Sequence, residues 1–153
     1  MEVVLRRASV DDARFVWEVN NHPSVRAQSV STAPIPWESH EAWFARRIAD
    51  AATLFFIATC GADPAAVVRF EVQDTEATIS VAVAPTFRGH GLGSRVIASA
   101  TDELARARPG TCAVALVRLG NEASLRAFAR AGYLRTGSHE ENGIALERLE
   151  RRV

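Results

Sequence analysis

Between residues 79 and 97 the chain reads Ile79-Ser80-Val81-Ala82-Val83-Ala84-Pro85-Thr86-Phe87-Arg88-Gly89-His90-Gly91-Leu92-Gly93-Ser94-Arg95-Val96-Ile97: a β-branched run, a proline, three closely spaced glycines, then a helical pattern. Val81 and Val83 alternate with small residues at strand spacing, Pro85 cannot extend a sheet ladder, and Leu92, Val96, Ala100 and Leu104 recur every four positions. The glycines therefore stand at a helix N-terminus, where the first N–H groups lack intrahelical partners and favour an anion. Gly89, Gly91 and Gly93 remove side chains that would hold the anion away, and Arg88 adds a permanent charge with a planar fork of donors. A pyrophosphate suits the stretch from Arg88 through Gly89, His90, Gly91 and Gly93 to Ser94.

Other glycine loops fit less well. A P-loop needs a Gly-Lys step, and the chain contains no lysine. A dinucleotide fingerprint needs a third glycine where Val96 stands, and Pro85-Thr86-Phe87-Arg88 separates the strand from the first glycine. The remaining alternative is a glycine-rich turn with no ligand. Val83-Ala84-Pro85 followed by Arg88-Gly89-His90-Gly91-Leu92-Gly93 resembles the acetyl-CoA-binding motif of the GNAT superfamily of N-acetyltransferases. Downstream, Asn121, Ser124, Phe128, Gly132 and Tyr133 resemble that superfamily's later segment on the last helix and the strand after it.

Stepping outward, 153 residues fit one domain, residues 1–153, able to bury about 68–70% of its unfolded surface. Eighteen basic residues balance eighteen acidic ones, so no global field draws nucleic acid or an anionic membrane. No apolar run approaches the ~18 residues of a membrane span, and the N-terminus is too charged for a secretion signal. The expectation is a cytoplasmic protein, monomer or homodimer, with no membrane and no nucleic-acid partner. Cys60 and Cys112 fall in strand-like runs and read as buried thiols, and the four histidines show no zinc-type spacing, so no metal is expected.

Local patterns predict the elements that hold the loop. Glu2 to Arg7 reads as a strand, Ser9 caps a helix reaching about Val19, and Asn20-Asn21-His22-Pro23 breaks it. Helical spacing resumes from Trp37 to about Asp50. Thr53 to Cys60 and Ala65 to Val72 form a hairpin about a Gly61-to-Pro64 turn, then come the Glu76 strand and a helix to about Arg108. A strand from Thr111, a helix from Glu122 to about Ala131, and a hairpin turning at Asn142-Gly143 complete the chain. That order predicts an α/β or α+β layer with a mixed sheet. The GNAT resemblance implies a mostly antiparallel sheet of about seven strands flanked by about four helices.

The resemblance also implies acetyl-CoA as cofactor and attack of a primary amine on its thioester. Val81 and Val83 then offer backbone groups to the pantetheine arm, with the Val83 N–H as oxyanion donor, and Asn121 and Ser124 contact the arm or simply cap the helix. Phe128 stands where many relatives carry a proton-donating tyrosine. Tyr133 reads as core. Glu71 shares a sheet face with Arg69 and is a candidate base, or a charge on a solvated edge. His40 is a second candidate for base or substrate positioning, or a surface histidine.

Residues 17–26 and 35–44 resemble acetyltransferases of amino-sugar nucleotides, such as those of the pseudaminic acid pathway, and more loosely enzymes acting on ribosomal-protein N-termini. A small-molecule amine, a sugar nucleotide in particular, is thus the expected acceptor. Trp37 would meet its ring face, and Asn20, Arg26, His40 and Arg69 its hydroxyls and phosphates. Trp17 and Trp43 fit apolar helix stripes. A domain that binds acyl-CoA without turnover is the reading from a different class.

Overall fold

The computed structural model describes residues 2–153. The chain runs β1 (Val3–Arg7), α1 (Ala13–Asn20), α2 (Pro23–Gln28), α3 (Trp37–Ala49), β2 (Thr53–Cys60), β3 (Asp63–Gln73), β4 (Glu76–Val83), α4 (Leu92–Ala107), β5 (Cys112–Arg118), α5 (Glu122–Arg130), β6 (Leu134–Glu141) and β7 (Ile144–Arg152), with single 3-10 turns before α1 and α4. Seven strands form one sheet in the order β1-β2-β3-β4-β5-β7-β6. Every pair is antiparallel except β4 with β5. The mixed, mostly antiparallel sheet is the expected one, and the extra helix is α2, where Pro23 at the first turn supplies a preset φ.

Both faces of the sheet are covered, which explains the unbroken apolar run of β2. Leu54, Phe56 and Ala58 face α4 and α5, joining Leu92, Val96, Ile97, Ala100, Leu104 and Phe128. Phe55 and Ile57 face the other way, against Val16 and Val19 of α1 and Phe44 of α3. Tyr133 closes the first layer: it is 2% exposed, meets Phe128 edge-on at 5.1 Å, and its hydroxyl lies 2.8 Å from Thr101 Oγ1.

Two details depart from the sequence expectation. The β2–β3 turn is tighter, made by Gly61 (φ 62) and Ala62, while Asp63 and Pro64 pair with Cys60 and Thr59. A register shift between Ala58 and Thr59 accommodates the proline, which cannot donate to a regular ladder. His40 is also no surface residue. It is 2% exposed, its Nε2 lies 2.8 Å from the Ala13 carbonyl, and its ring stacks on Phe44, so it ties α3 to α1.

The helix that follows β4 starts at a left-handed glycine. Gly89 (φ 81) and Gly91 (φ 69) both hold conformations that cost an L-residue roughly 1–2 kcal/mol, with open space where a Cβ would stand. Gly93 has no such backbone need, and a Cβ there would meet Ala127 Cβ at 3.8 Å and Val83 Cγ2 at 4.0 Å, ordinary contact distances.

Gly91→Ala is expected to cost about 1–2 kcal/mol of stability, while Gly93→Ala changes it by less than about 0.5 kcal/mol; urea midpoints check both. His40 yields a pH dependence. Burial pushes its pKa below the usual imidazole value, against the opposing pull of the Ala13 carbonyl and Glu41. The unfolded chain therefore binds the proton first, and stability, full above the ordinary pKa of about 6.5, declines as pH falls below it, by at most about 1.4 kcal/mol per pH unit. Urea midpoints from pH 7.5 to 5.5 should show that slope in the wild type and a flatter one in His40→Gln.

Candidate active site

Hydrogen bonding along β4 decides where a guest could lie. Ala84 N–H donates to Ala65 O at 2.8 Å, and the register continues through Val67↔Ala82 and Arg69↔Ser80. In an antiparallel pair these bonds fall on alternate residues, so Ile79, Val81 and Val83 turn their N–H and C=O to the opposite edge. On that edge β5 pairs only as far as Thr78↔Val114. Beyond it β4 presents an open backbone edge at Val81 and Val83, the two positions expected to receive an extended arm.

The glycine loop continues this edge. Among the described residues, no carbonyl accepts from the amides of residues 89 to 93, whereas the Arg88 amide, counted with them from the sequence, donates to Pro85 O at 3.3 Å. Leu92, Gly93 and Ser94 form the first turn of α4, whose N–H groups have no intrahelical acceptor. His90 is exposed, and the Ser94 hydroxyl donates to Gly91 O at 3.2 Å. Arg88 is folded back: its Nε donates to Val83 O at 3.1 Å and another guanidinium nitrogen to Ser24 Oγ. An open edge, free amides and glycine-lined space together fit a pantetheine diphosphate, while the Arg88 guanidinium is held on Val83 O and Ser24 Oγ.

Asn121 and Ser124 are engaged with each other. Asn121 Oδ1 accepts from Ser124 N at 3.3 Å and its Nδ2 donates to Ser124 Oγ at 3.0 Å, a side-chain cap for α5. Phe128 lies in the core, 4% exposed. Burial raises the Tyr133 pKa to about 12.

A cavity of about 420 Å³ lies on the α1 and α3 side of the sheet. Asn20, Arg26, His40 and Arg69 line it together, and Ser80, Val81 and Ala82 form its β4 wall, so it abuts the open edge. No Asp or Glu lines it. Arg26 is a strut: Nε donates to Asn20 O at 2.9 Å, and the two outer nitrogens to Ser31 O at 3.0 Å and Ser29 Oγ at 3.1 Å. Arg118 reaches from the end of β5 to Ala27 O and Ser29 O, so α2 is tied to both splayed strands.

Two expected residues fall outside the cavity. Glu71 pairs with Thr78, five residues or about 16 Å along the strand from the level of Val83. Its carboxylate sits 3.2 Å from Arg47 Nε and lines a separate concavity with Asp74 and Glu76. Trp37 instead packs against Trp17 at 5.3 Å with Arg14 over both rings. The tryptophan in the cavity is Trp43, read as core from its helix stripe, with Phe55 beside it in the lining. Trp43 stands three residues after His40, and that same-face spacing was the signal for it. Ser80 follows likewise from its register opposite Arg69.

Among the described residues no cluster of His, Cys, Asp or Glu could hold a metal ion, and no helix is long and apolar enough to cross a membrane. No curated protein sequence matches the chain. The fold is similar to that of an aminoglycoside acetyltransferase, AAC(6')-Ib, in complex with ribostamycin and coenzyme A: TM-score 0.84 at 14% identity, covering 99% of this chain and 94% of that one. It is also similar to spermidine N-acetyltransferase from Vibrio cholerae in complex with CoA and spermine, with TM-score 0.86 at 18% identity and coverage of 97% and 94%. The model of the acetyltransferase (GNAT) family matches residues 13–133, from α1 through the loop and α5 to Tyr133, and the chain belongs to that family.

Proposed function

We propose that this acetyltransferase moves an acetyl group from acetyl-CoA to the primary amine of a small molecule, an amino-sugar nucleotide being the acceptor favoured by residues 17–26 and 35–44. One observation carries the reading: the open edge of β4 at Val81 and Val83 is also the wall of the cavity, so a donor arm and an acceptor would meet across three residues of one strand. Solved structures of the same fold hold CoA together with an amine acceptor, which supports it.

Acetyl-CoA supplies a thioester carbonyl, which the amine nitrogen attacks as the C–S bond breaks. The chain's own residues position and polarise. Amides 89 to 94, with Arg88, hold the diphosphate by charge-assisted hydrogen bonds. Backbone N–H groups of Val81 and Val83, on the unpaired edge of β4, would be the donors to the thioester carbonyl oxygen as it gains charge, and fixed donors lower such a barrier without reorganising. The acceptor amine must be neutral to attack. His40 is held neutral by burial with Nε2 on Ala13 O, which leaves Nδ1 as its acceptor nitrogen. An amine flanked by electron-withdrawing sugar oxygens is less basic than lysine and asks less of such a base. Trp43 offers an apolar face to a ring, and Asn20 and Ser80 offer polar groups to hydroxyls.

Transfer from radiolabelled acetyl-CoA to sugar nucleotides, ribosomal-protein N-terminal peptides and polyamines tests the reading. Labelled sugar nucleotide is the expected product. Labelled peptide would move the assignment to a protein acetyltransferase, and tight coenzyme binding with no transfer to any amine would make the domain a binding module. Arg88→Ala should weaken coenzyme binding by about 1.5–3 kcal/mol, roughly ten- to a hundredfold, read by calorimetry. An unchanged dissociation constant would remove Arg88 from the diphosphate site.

A further inference from the structure

Arg69 is the one guanidinium of the acceptor cavity that the described residues leave without a hydrogen bond. Its side chain is only 21% exposed, its buried Nε makes no hydrogen bond, and its one ion pair is a long one, 3.6 Å to a Glu71 carboxylate that sits closer to Arg47. The Trp43 ring lies 4.9 Å from the guanidinium and stacks beneath it. A buried cation with unmatched donors is costly, and an oxyanion that accepts two parallel bonds from the fork offsets that cost. The cavity's other charge is Arg26, also positive and already engaged, and no carboxylate lines the wall to receive an ammonium group.

We propose that Arg69 recognises an anionic oxygen group of the acceptor, carboxylate or phosphate, so that the enzyme selects molecules carrying both an amine and an acid. The proposal rests on the acceptor cavity assigned above. Trp43 fixes the guanidinium plane from one side, and Ser80, opposite Arg69 in register, adds a hydroxyl donor to the same wall. Neutral amines leave the fork unmatched. Polycations of the spermidine or aminoglycoside kind bring like charge to a cavity lined by two arginines and no carboxylate, and they are selected against.

Matched probes test this on the coenzyme-loaded protein: L-methionine against L-methioninamide, UDP-glucosamine against glucosamine, with spermidine and kanamycin as polycations. Calorimetry reads binding, and release of the coenzyme thiol from acetyl-CoA reads transfer. The acid-bearing member of at least one pair should bind at least tenfold more tightly than its partner. The methionine pair reports a carboxylate, and the UDP-glucosamine pair a phosphate. Arg69→Gln should abolish the preference while coenzyme affinity and circular dichroism stay as in the wild type. Arg69→Lys, which keeps the charge but loses the fork, should retain part of it and serves if the glutamine variant does not fold. Equal binding within both pairs, tighter binding of a polycation, or a preference that survives in Arg69→Gln would overturn the assignment. Transfer to a neutral amine with no effect of Arg69 would sink this inference and leave the transferase reading intact. Acid binding through Arg69 without thiol release would do the reverse.

Discussion

An unfinished ladder between β4 and β5 is the feature on which the rest of this molecule depends. Both strands are followed by helices, α4 and α5, that pack on the same face of the sheet. Packed helices need about 8–10 Å between axes, whereas paired strands sit about 4.7–4.9 Å apart. Two parallel neighbours whose ends each feed such a helix must therefore diverge, and here they part after Thr78↔Val114. Gly93 faces Ala127 where the two helices converge, and small residues at that point keep the splay no wider than packing demands.

Divergence leaves backbone groups without partners, and backbone polarity must be satisfied somewhere. Arg88 supplies part of the answer by donating to the Val83 carbonyl from the same loop that offers its amides outward. Arginines recur as connectors around the opening: Arg88 to Ser24, Arg26 to Asn20 and Ser31, Arg118 to Ala27 and Ser29. Each fixes α2 or the turn after it to the sheet through planar, multidentate donors, a task to which a lysine ammonium is less suited. The cavity beside β4 is bounded by this bracing, so its shape and the open strand edge share one set of supports.

Local rules made the fold readable where a single interaction decides the conformation. The glycine spacing announced the start of α4, the alternation of Val81 and Val83 announced a strand, and Asn142-Gly143, both left-handed, announced the last hairpin. Tertiary partners were harder to see. Glu71 and Arg69 share a face, but only the register shows that one step of two residues carries Glu71 past the cavity to Arg47. Trp37 and Trp43 lie on one helix, the first read as an acceptor contact and the second as core, and which of them borders open space depends on Trp17 and Arg14 filling the room beside the first. His40 has the composition of a surface residue until α1 places the Ala13 carbonyl beside it.

The proton inventory of the site follows from the same packing. Acetyl transfer releases one proton from the amine and delivers one to the thiolate, so no side chain is changed at the end of a turnover. Phe128 has no proton to give, and the Tyr133 hydroxyl is closed off: it lies 2.8 Å from Thr101 Oγ1, which itself donates to Ile97 O, and its pKa is raised to about 12. A general acid contributes about 10²–10⁴-fold to a rate, whereas holding two reactants in a productive geometry can lower the barrier by about 7–11 kcal/mol. With a thiol as a tolerable leaving group, the proposed meeting of donor and acceptor along Ser80, Val81 and Ala82 would lose the smaller of these two contributions and keep the larger. On the proposed site the geometry of one strand edge, more than any titrating residue, would be what the fold contributes to catalysis.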